Sequence, residues 1–286
     1  MVIKGFVDLH THGIGKYDTN TTSPWVILKI AELQGKEGIA AIMPTIYPAP
    51  IREMRKNMEA VRKAMEIQRC STDSANQSLI LGIHLEGPFL NPLRSGALDK
   101  GSFLKPTITS LKRLIEGYED IVRIITIAPE LSGSLRVIER CRELGIRVNM
   151  GHSDATYKEA LNGKRAGATG ITHIFNAMRP FHHRDPGIAL FSLIDNDLYI
   201  EVIADGVHLS KEVLRLIFNI KNQDRIIVVS DSVRGAGQRR TQLLKKGILR
   251  GSRIAISGAI EVLKQIGLSW PLIEKTLREN PWRYLA

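Results

Sequence analysis

Two hydrophobic rhythms alternate along the chain. Short β-branched runs read as strands at Ile3–His10, Ala40–Thr45, Leu79–His84, Val122–Ala128, Arg147–Gly151, Gly170–Ile174, Tyr199–Ala204 and Arg225–Ser230. Between them, apolar residues recur three and four apart in Pro24–Gly35, Ile51–Arg69, Ile108–Tyr118, Leu135–Leu144, Tyr157–Ala166 and Lys211–Ile220, the spacing of amphipathic helices. Ser23-Pro24, Thr109-Ser110 and Ser210 offer caps, Gly35, Gly145 and Gly167 sit near stops, and Leu268–Leu285 reads as a closing helical segment. Eight such alternations predict an α/β fold, a (β/α)8 TIM-type barrel filling residues 1–286 as a single domain.

Ligand-type residues stand where these apolar runs give way to glycine-rich or polar loops: His10 and His12, Glu86, His152, His173, His208 and Asp231. An open doubly wound sheet would gather them at one switch point. Imidazoles and carboxylates spread over six strand ends are how a parallel barrel presents a metal-dependent hydrolytic site. His10 and His12, two apart, share one face of a continuing strand and can grip one ion, while Gly13 lets the chain turn away. Glu86, before Gly87-Pro88, is placed to bridge two divalent ions; the plainer alternative is a helix cap or surface acid. His84 is either a hydrogen-bond partner of a ligand or a packed histidine. Asp231 ends a buried run, a costly place for a lone carboxylate, and could ligate a metal, act as general base, or do both. His208 could polarise a carbonyl or simply open a helix. His182 and His183 read as exposed loop residues, and Arg184 beside them as an anion fork.

Composition narrows this picture without redirecting it. With 43% hydrophobic residues there is ample core, and no uncharged apolar run approaches the ~18 residues of a membrane helix. No charged-then-apolar leader opens the chain. Cys70 and Cys141 lie far apart, outside any metal-type spacing, and suit a reducing cytoplasm. The 40 Lys+Arg against 29 Asp+Glu give a net charge of +11, but acidic residues interrupt many of the basic stretches, so most read as solvated helix faces.

The strings Val7-Asp8-Leu9-His10-Thr11-His12-Gly13, His84-Leu85-Glu86-Gly87-Pro88-Phe89-Leu90, Ala128-Pro129-Glu130 and Gly151-His152-Ser153-Asp154-Ala155 run in one order. They continue with Thr172-His173-Ile174-Phe175-Asn176-Ala177-Met178, Arg184-Asp185-Pro186-Gly187, Ala204-Asp205-Gly206-Val207-His208 and Ser230-Asp231. In these the chain resembles the N-acetylglucosamine-6-phosphate deacetylase family of the amidohydrolase superfamily. The resemblance implies that Glu86, His152 and His173 hold the main metal and that His10 and His12 supply a second site. The cofactor would be one or two divalent ions (Zn, Fe, Mn or Co). Asp231 would be the catalytic acid/base. Asn176, Ala177 and His208 would contact the sugar and its acetamide, and Arg184 the 6-phosphate, with Ala97, Leu249 and Gly251 also at the substrate. Because that arginine can come from a neighbouring subunit, a homodimer is implied, acting on a small anionic sugar phosphate in the cytoplasm.

Three departures mark the sugar-facing rim and the flanks. The chain starts at the first barrel strand and ends near Asn280-Pro281, so the family's small β-sandwich is expected to be missing. Gly96-Ala97-Leu98 stands where the family carries an imidazole after Gly-Ala. The segment from Asp231 to Leu249-Arg250-Gly251-Ser252 is short for the family. Rival readings are a deacylase of another N-acyl compound, a metal-dependent deoxyribonuclease or phosphoesterase on a similar barrel, and a degenerate barrel that binds without hydrolysing. A basic stripe with interleaved aromatics, which would favour nucleic acid, is missing from the sequence.

Overall fold

The computed structural model describes residues 5–71, 77–237, 244–245, 248–249 and 251–286. The first residues of the opening strand and much of the short segment before Gly251 lie outside them. The barrel strands are β1 (Phe6–Thr11), β2 (Ile39–Ile46), β3 (Ile83–Leu85, led in by Leu79–Ile80), β4 (Val122–Ile127), β5 (Arg147–Met150), β6 (Gly170–Ile171), β7 (Tyr199–Ile203) and β8 (Ile226–Val229). They pair parallel and in sequence order, as predicted. Polar groups close the seam from β8 back to β1. The amide of Asp231 donates to His10 O at 2.9 Å and that of His12 to Ser232 O at 2.7 Å. Asp8 accepts from both the amide and the hydroxyl of Ser230.

Helices α1 (Pro24–Lys36), α2 (Ile51–Cys70), α3 (Ile108–Ile115), α4 (Ser134–Glu143), α5 (Tyr157–Ala166), α6 (Gly187–Ile194), α7 (Lys211–Ile220) and α8 (Ile256–Gln265) surround the strands. Thr107, not Thr109-Ser110, caps α3: its hydroxyl accepts from the Ser110 amide. The α6 helix escapes the periodicity because six of its residues, Gly187, Ile188, Ala189, Phe191, Ser192 and Leu193, are buried, leaving too little polar face to read. The closing segment runs helically from Trp270 to Leu285, with a π-type turn over Lys275–Glu279.

Two apolar clusters divide the strands by face. Ile226 and Val228 belong to a large cluster shared with the helices, whereas Ile227 and Val229 join Val7, Leu9, Ala41, Met43, Ile124, Ile203 and Tyr284 in a smaller one. Strand alternation makes the smaller cluster the barrel interior, and Tyr284, from the closing segment, plugs it.

Candidate metal centre

A bulge decides where β1 aims its histidines. Asp8 pairs with Ile42 and Thr11 with Pro44, so β1 carries one extra residue opposite β2. With Val7 and Leu9 in the interior, strict alternation would turn His10 and His12 away; the extra residue turns both inward. Asp8 pins the bulge by accepting from the His10 amide at 3.2 Å. His152, His173 and Asp231 each stand two residues beyond a strand end, and all three adopt left-handed backbone, with φ of 46°, 27° and 46°. Such geometry costs on the order of 1 kcal/mol or more per residue and persists only where the surroundings enforce it.

The six side chains converge. Glu86 Oε1 lies 3.0 Å from His173 Nε2, 3.1 Å from His152 Nε2 and 3.6 Å from His10 Nε2, and its Oε2 lies 3.3 Å from His12 Nε2. Asp231 Oδ1 is 3.5 Å from Nε2 of both His10 and His12. All are buried. Burial opposes ionisation of Glu86, but the imidazoles of His12, His152 and His173 outweigh it and hold its pKa well below the ordinary carboxylate range. Burial, and then the charge of Glu86, push Asp231 well above that range. Burial also keeps His10 well below its ordinary value.

The donor set calls for a cation. His12 Nδ1 faces Thr45 O at 3.0 Å and His152 Nδ1 faces Arg94 O at 2.9 Å, while His10 Nδ1 meets Glu201 Oε2 at 2.9 Å. Carbonyls and carboxylates accept, so these Nδ1 atoms carry a proton, which leaves Nε2 of each ring free to offer its lone pair inward. Yet Nε2 of His10 and His12 are 3.3 Å apart, and those of His152 and His173 are 3.2 Å apart. Nitrogen lone pairs crowded against one another and against a carboxylate suit a divalent ion with nitrogen and oxygen ligands, and His173, whose Nδ1 has no partner among the described residues, is free to turn its own Nε2 lone pair to the same ion. Three three-residue groups bring ligand atoms together: Glu86, His152 and His173; His10, His12 and Asp231; and, behind His10, His10, His84 and Glu201.

The other predicted residues take up varied positions. His208 Nδ1 contacts Asp205 Oδ2 at 2.7 Å, and Asp205 Oδ1 also accepts the amides of Val207 and His208. Burial lowers the pKa of His208, but the Asp205 hydrogen bond and charge outweigh it and raise it above the ordinary value. Gly96, ahead of Ala97, lies against Ala177 and His152: an added Cβ would sit 3.4 Å and 3.6 Å from them. Asn176 donates to the carbonyls of His173 and Ile174, holding its own loop. Arg184 is not brought in; it is exposed, with Nη1 2.9 Å from His183 Nε2. Leu249 ends a two-residue hairpin strand paired with Leu244–Lys245.

Gly251, at φ +72°, leaves a Cβ only 2.5 Å from Val233 Cγ1 and 2.8 Å from Asp231 O. Gly251→Ala is therefore expected to lower unfolding free energy by ~1–3 kcal/mol, read as a shifted urea midpoint at constant slope. A midpoint equal to that of the parent would show that the loop yields.

Sequence reasoning missed Glu201, Asn149 and Tyr47. Glu201 is a lone acid in the apolar run Tyr199-Ile200-Glu201-Val202-Ile203, the same signal that singles out Asp231. It touches His10 and accepts from Asn149 Nδ2 at 2.8 Å. Tyr47 stacks on His12 with centroids 3.8 Å apart and planes 10° apart, which no pattern announces. His84, the open case, packs behind His10, between Leu9 O at 3.1 Å and the Thr126 hydroxyl at 3.0 Å.

A model described as the amidohydrolase family matches residues 1–261. The chain is similar to an N-acetylglucosamine-6-phosphate deacetylase of Bacillus subtilis, 30% identical over 100% of this chain and 76% of the relative. It is equally similar to an N-acetylgalactosamine-6-phosphate deacetylase of Escherichia coli O157:H7, 30% identical over 83% of this chain and 61% of the relative. Among solved structures, the N-acetyl-D-glucosamine-6-phosphate deacetylase of Mycobacterium smegmatis superposes with TM-score 0.89 at 27% identity, covering 100% of this chain and 78% of that one. The enzyme from Thermotoga maritima gives 0.88 at 28% identity, covering 98% and 78%. The chain thus spans some three fifths to three quarters of these proteins' lengths.

Proposed function

Because the chain belongs to the amidohydrolase family, within its N-acetylglucosamine-6-phosphate deacetylases, we propose that it hydrolyses the acetamide of N-acetylglucosamine 6-phosphate. The products are glucosamine 6-phosphate and acetate. One observation carries the reading: four inward-facing imidazoles and two carboxylates converge on a donor set that calls for a divalent ion. Zn, Fe, Mn or Co suits it. Glu86, His152 and His173, with His10 and His12 beside them, would hold the ion, which when bound would supply Lewis acidity and lower the pKa of water.

This chain's own groups do the rest. Asp231, whose carboxylate burial makes more basic, takes the proton as water adds to the acyl carbon. It returns that proton to the nitrogen as the C–N bond breaks. His208, steered by Asp205, offers Nε2 to the acyl oxygen as negative charge develops there. Ala97, Asn176, Ala177, Leu249 and Gly251 shape the sugar-facing rim.

Arg184, exposed and contacting His183, takes the 6-phosphate of a substrate bound in the partner of a homodimer. The partners are anionic sugar phosphates and not nucleic acid, since many basic residues are paired: Arg62 with Asp120, Lys164 with Asp195 and Asp197, Lys275 with Asp224. No helix among the described residues is long and apolar enough to cross a membrane. The free thiols of Cys70 and Cys141 suit the cytoplasm.

The similarity to an N-acetylgalactosamine-6-phosphate deacetylase at the same 30% identity supports a second substrate, the galacto epimer. The test measures acetate release from both N-acetylated sugar phosphates alongside metal content of the same sample. Metal-loaded protein that releases acetate from neither overturns the reading.

The pH profile offers a narrower check. Asp205 stabilises the imidazolium of His208, so activity is expected to fall as pH rises through the raised pKa of His208. Asp205→Asn removes that support and moves this limb to lower pH. A limb that stays in place removes His208 from the role. The pair also stabilises the fold between the lowered pKa of Asp205 and the raised pKa of His208, and loses that contribution on either side.

A further inference from the structure

A buried hydrogen-bonded chain runs from the closing helical segment up the barrel interior to the metal centre. Tyr284 donates its hydroxyl to Asn149 Oδ1. Asn149 Nδ2 donates to Glu201 Oε1 at 2.8 Å, and Glu201 Oε2 meets His10 Nδ1 at 2.9 Å. Every member is essentially sealed from solvent: Tyr284 2%, Asn149 1%, Glu201 2% and His10 0% exposed. Thr169 donates to the far side of the Tyr284 oxygen at 3.3 Å.

Polarity along the chain is fixed. The tyrosine gives its single proton to the amide oxygen, which turns the amide hydrogens toward the carboxylate. The carboxylate in turn holds the proton of His10 on Nδ1 and leaves the Nε2 lone pair facing the centre. Gly170 makes the arrangement possible, since a Cβ there would overlap both Asn149 Oδ1 and the Tyr284 hydroxyl. Tyr284 thus does more than plug the barrel floor.

We propose that Tyr284, Asn149 and Glu201 are positioning residues that set the tautomer and ring plane of His10, and with them the affinity of the site formed by His10, His12 and Asp231. The proposal rests on the metal-dependent reading above. Outer partners of metal-bound imidazoles tune both orientation and basicity. Here the tuning begins on the closing helical segment, at Tyr284.

Cobalt(II) titration of the metal-stripped full-length protein tests it, with visible absorption and affinity resolved for two successive ions. Glu201→Gln is expected to weaken the ion at the His10 site by about 10- to 100-fold and shift its absorption, leaving the Glu86 site within about twofold. Tyr284→Phe, which keeps the ring in place, weakens the same site by about fivefold, the worth of one neutral hydrogen bond. Gly170→Ala acts in the same direction by breaking the contact sterically. If Glu201→Gln does not fold, Tyr284→Phe carries the test alone. Variants that lose thermal stability but keep the wild-type affinity ratio and spectrum overturn the proposal and leave a packing role. A wild-type protein that takes up no cobalt overturns the metal reading itself.

Discussion

Asp231→Asn is expected to lower kcat by about 10²- to 10⁴-fold while the ion at Glu86, His152 and His173 stays bound. The substitution keeps the shape of the side chain and removes only its ability to carry a proton. Asp231 Oδ1 stands 3.5 Å from Nε2 of both His10 and His12, at the same C-terminal end of the strands as Glu86. Acetate release and metal analysis on one preparation check the prediction; a wild-type kcat removes Asp231 from proton transfer. A second readout follows from linkage. The pKa of Asp231 is raised on folding, so the metal-free folded state holds a proton that the unfolded chain releases. Stability of that state therefore falls as pH rises from the ordinary carboxylate pKa through the raised one. Removing the acid should make the metal-free protein melt higher at neutral pH, so the variant gains stability as it loses turnover.

Glu86→Gln is expected to cost metal as well as turnover. Four Nε2 atoms lie within 3.6 Å of this one carboxylate, and among the described residues no other carboxylate pairs with the imidazole of His152 or His173. Affinity should fall by more than the ~10- to 100-fold typical of outer partners. Dialysed variant protein would then retain little divalent ion, and added metal would restore activity only at high concentration. Normal ion content after dialysis would show that the imidazoles suffice without the carboxylate.

The barrel was legible because each strand is a short apolar run that ends in a polar break. All eight predicted strands were found, and Pro24, Ile51, Tyr157 and Lys211 open their helices where the pattern placed them. Ligands at strand ends were legible for the same reason: His152, His173 and Asp231 interrupt apolar sequence. What stayed hidden depends on contacts between distant segments. Tyr284 reads as a helix residue until the fold brings it beneath Asn149, 135 positions away. The orientation of His10 depends on a bulge, and a one-residue offset leaves no mark in composition. Arg184 shows the opposite limit, since the sequence flags it while a single copy of the chain gives it no role at the centre.

The β1–β8 seam links catalysis to solubility. A closed barrel hides the edges of its first and last strands only while they hold together. Here they are joined through Asp8, Ser230 and the backbones of His10, His12, Asp231 and Ser232, the very segments that carry half of the ligands. Loss of the ion would loosen these segments and the seam in one local event. The freed edges are templates for pairing with other chains. Chelation would then do more than silence the enzyme: it would turn an enclosed sheet into an aggregation nucleus, and divalent ion in the buffer would act as a preservative.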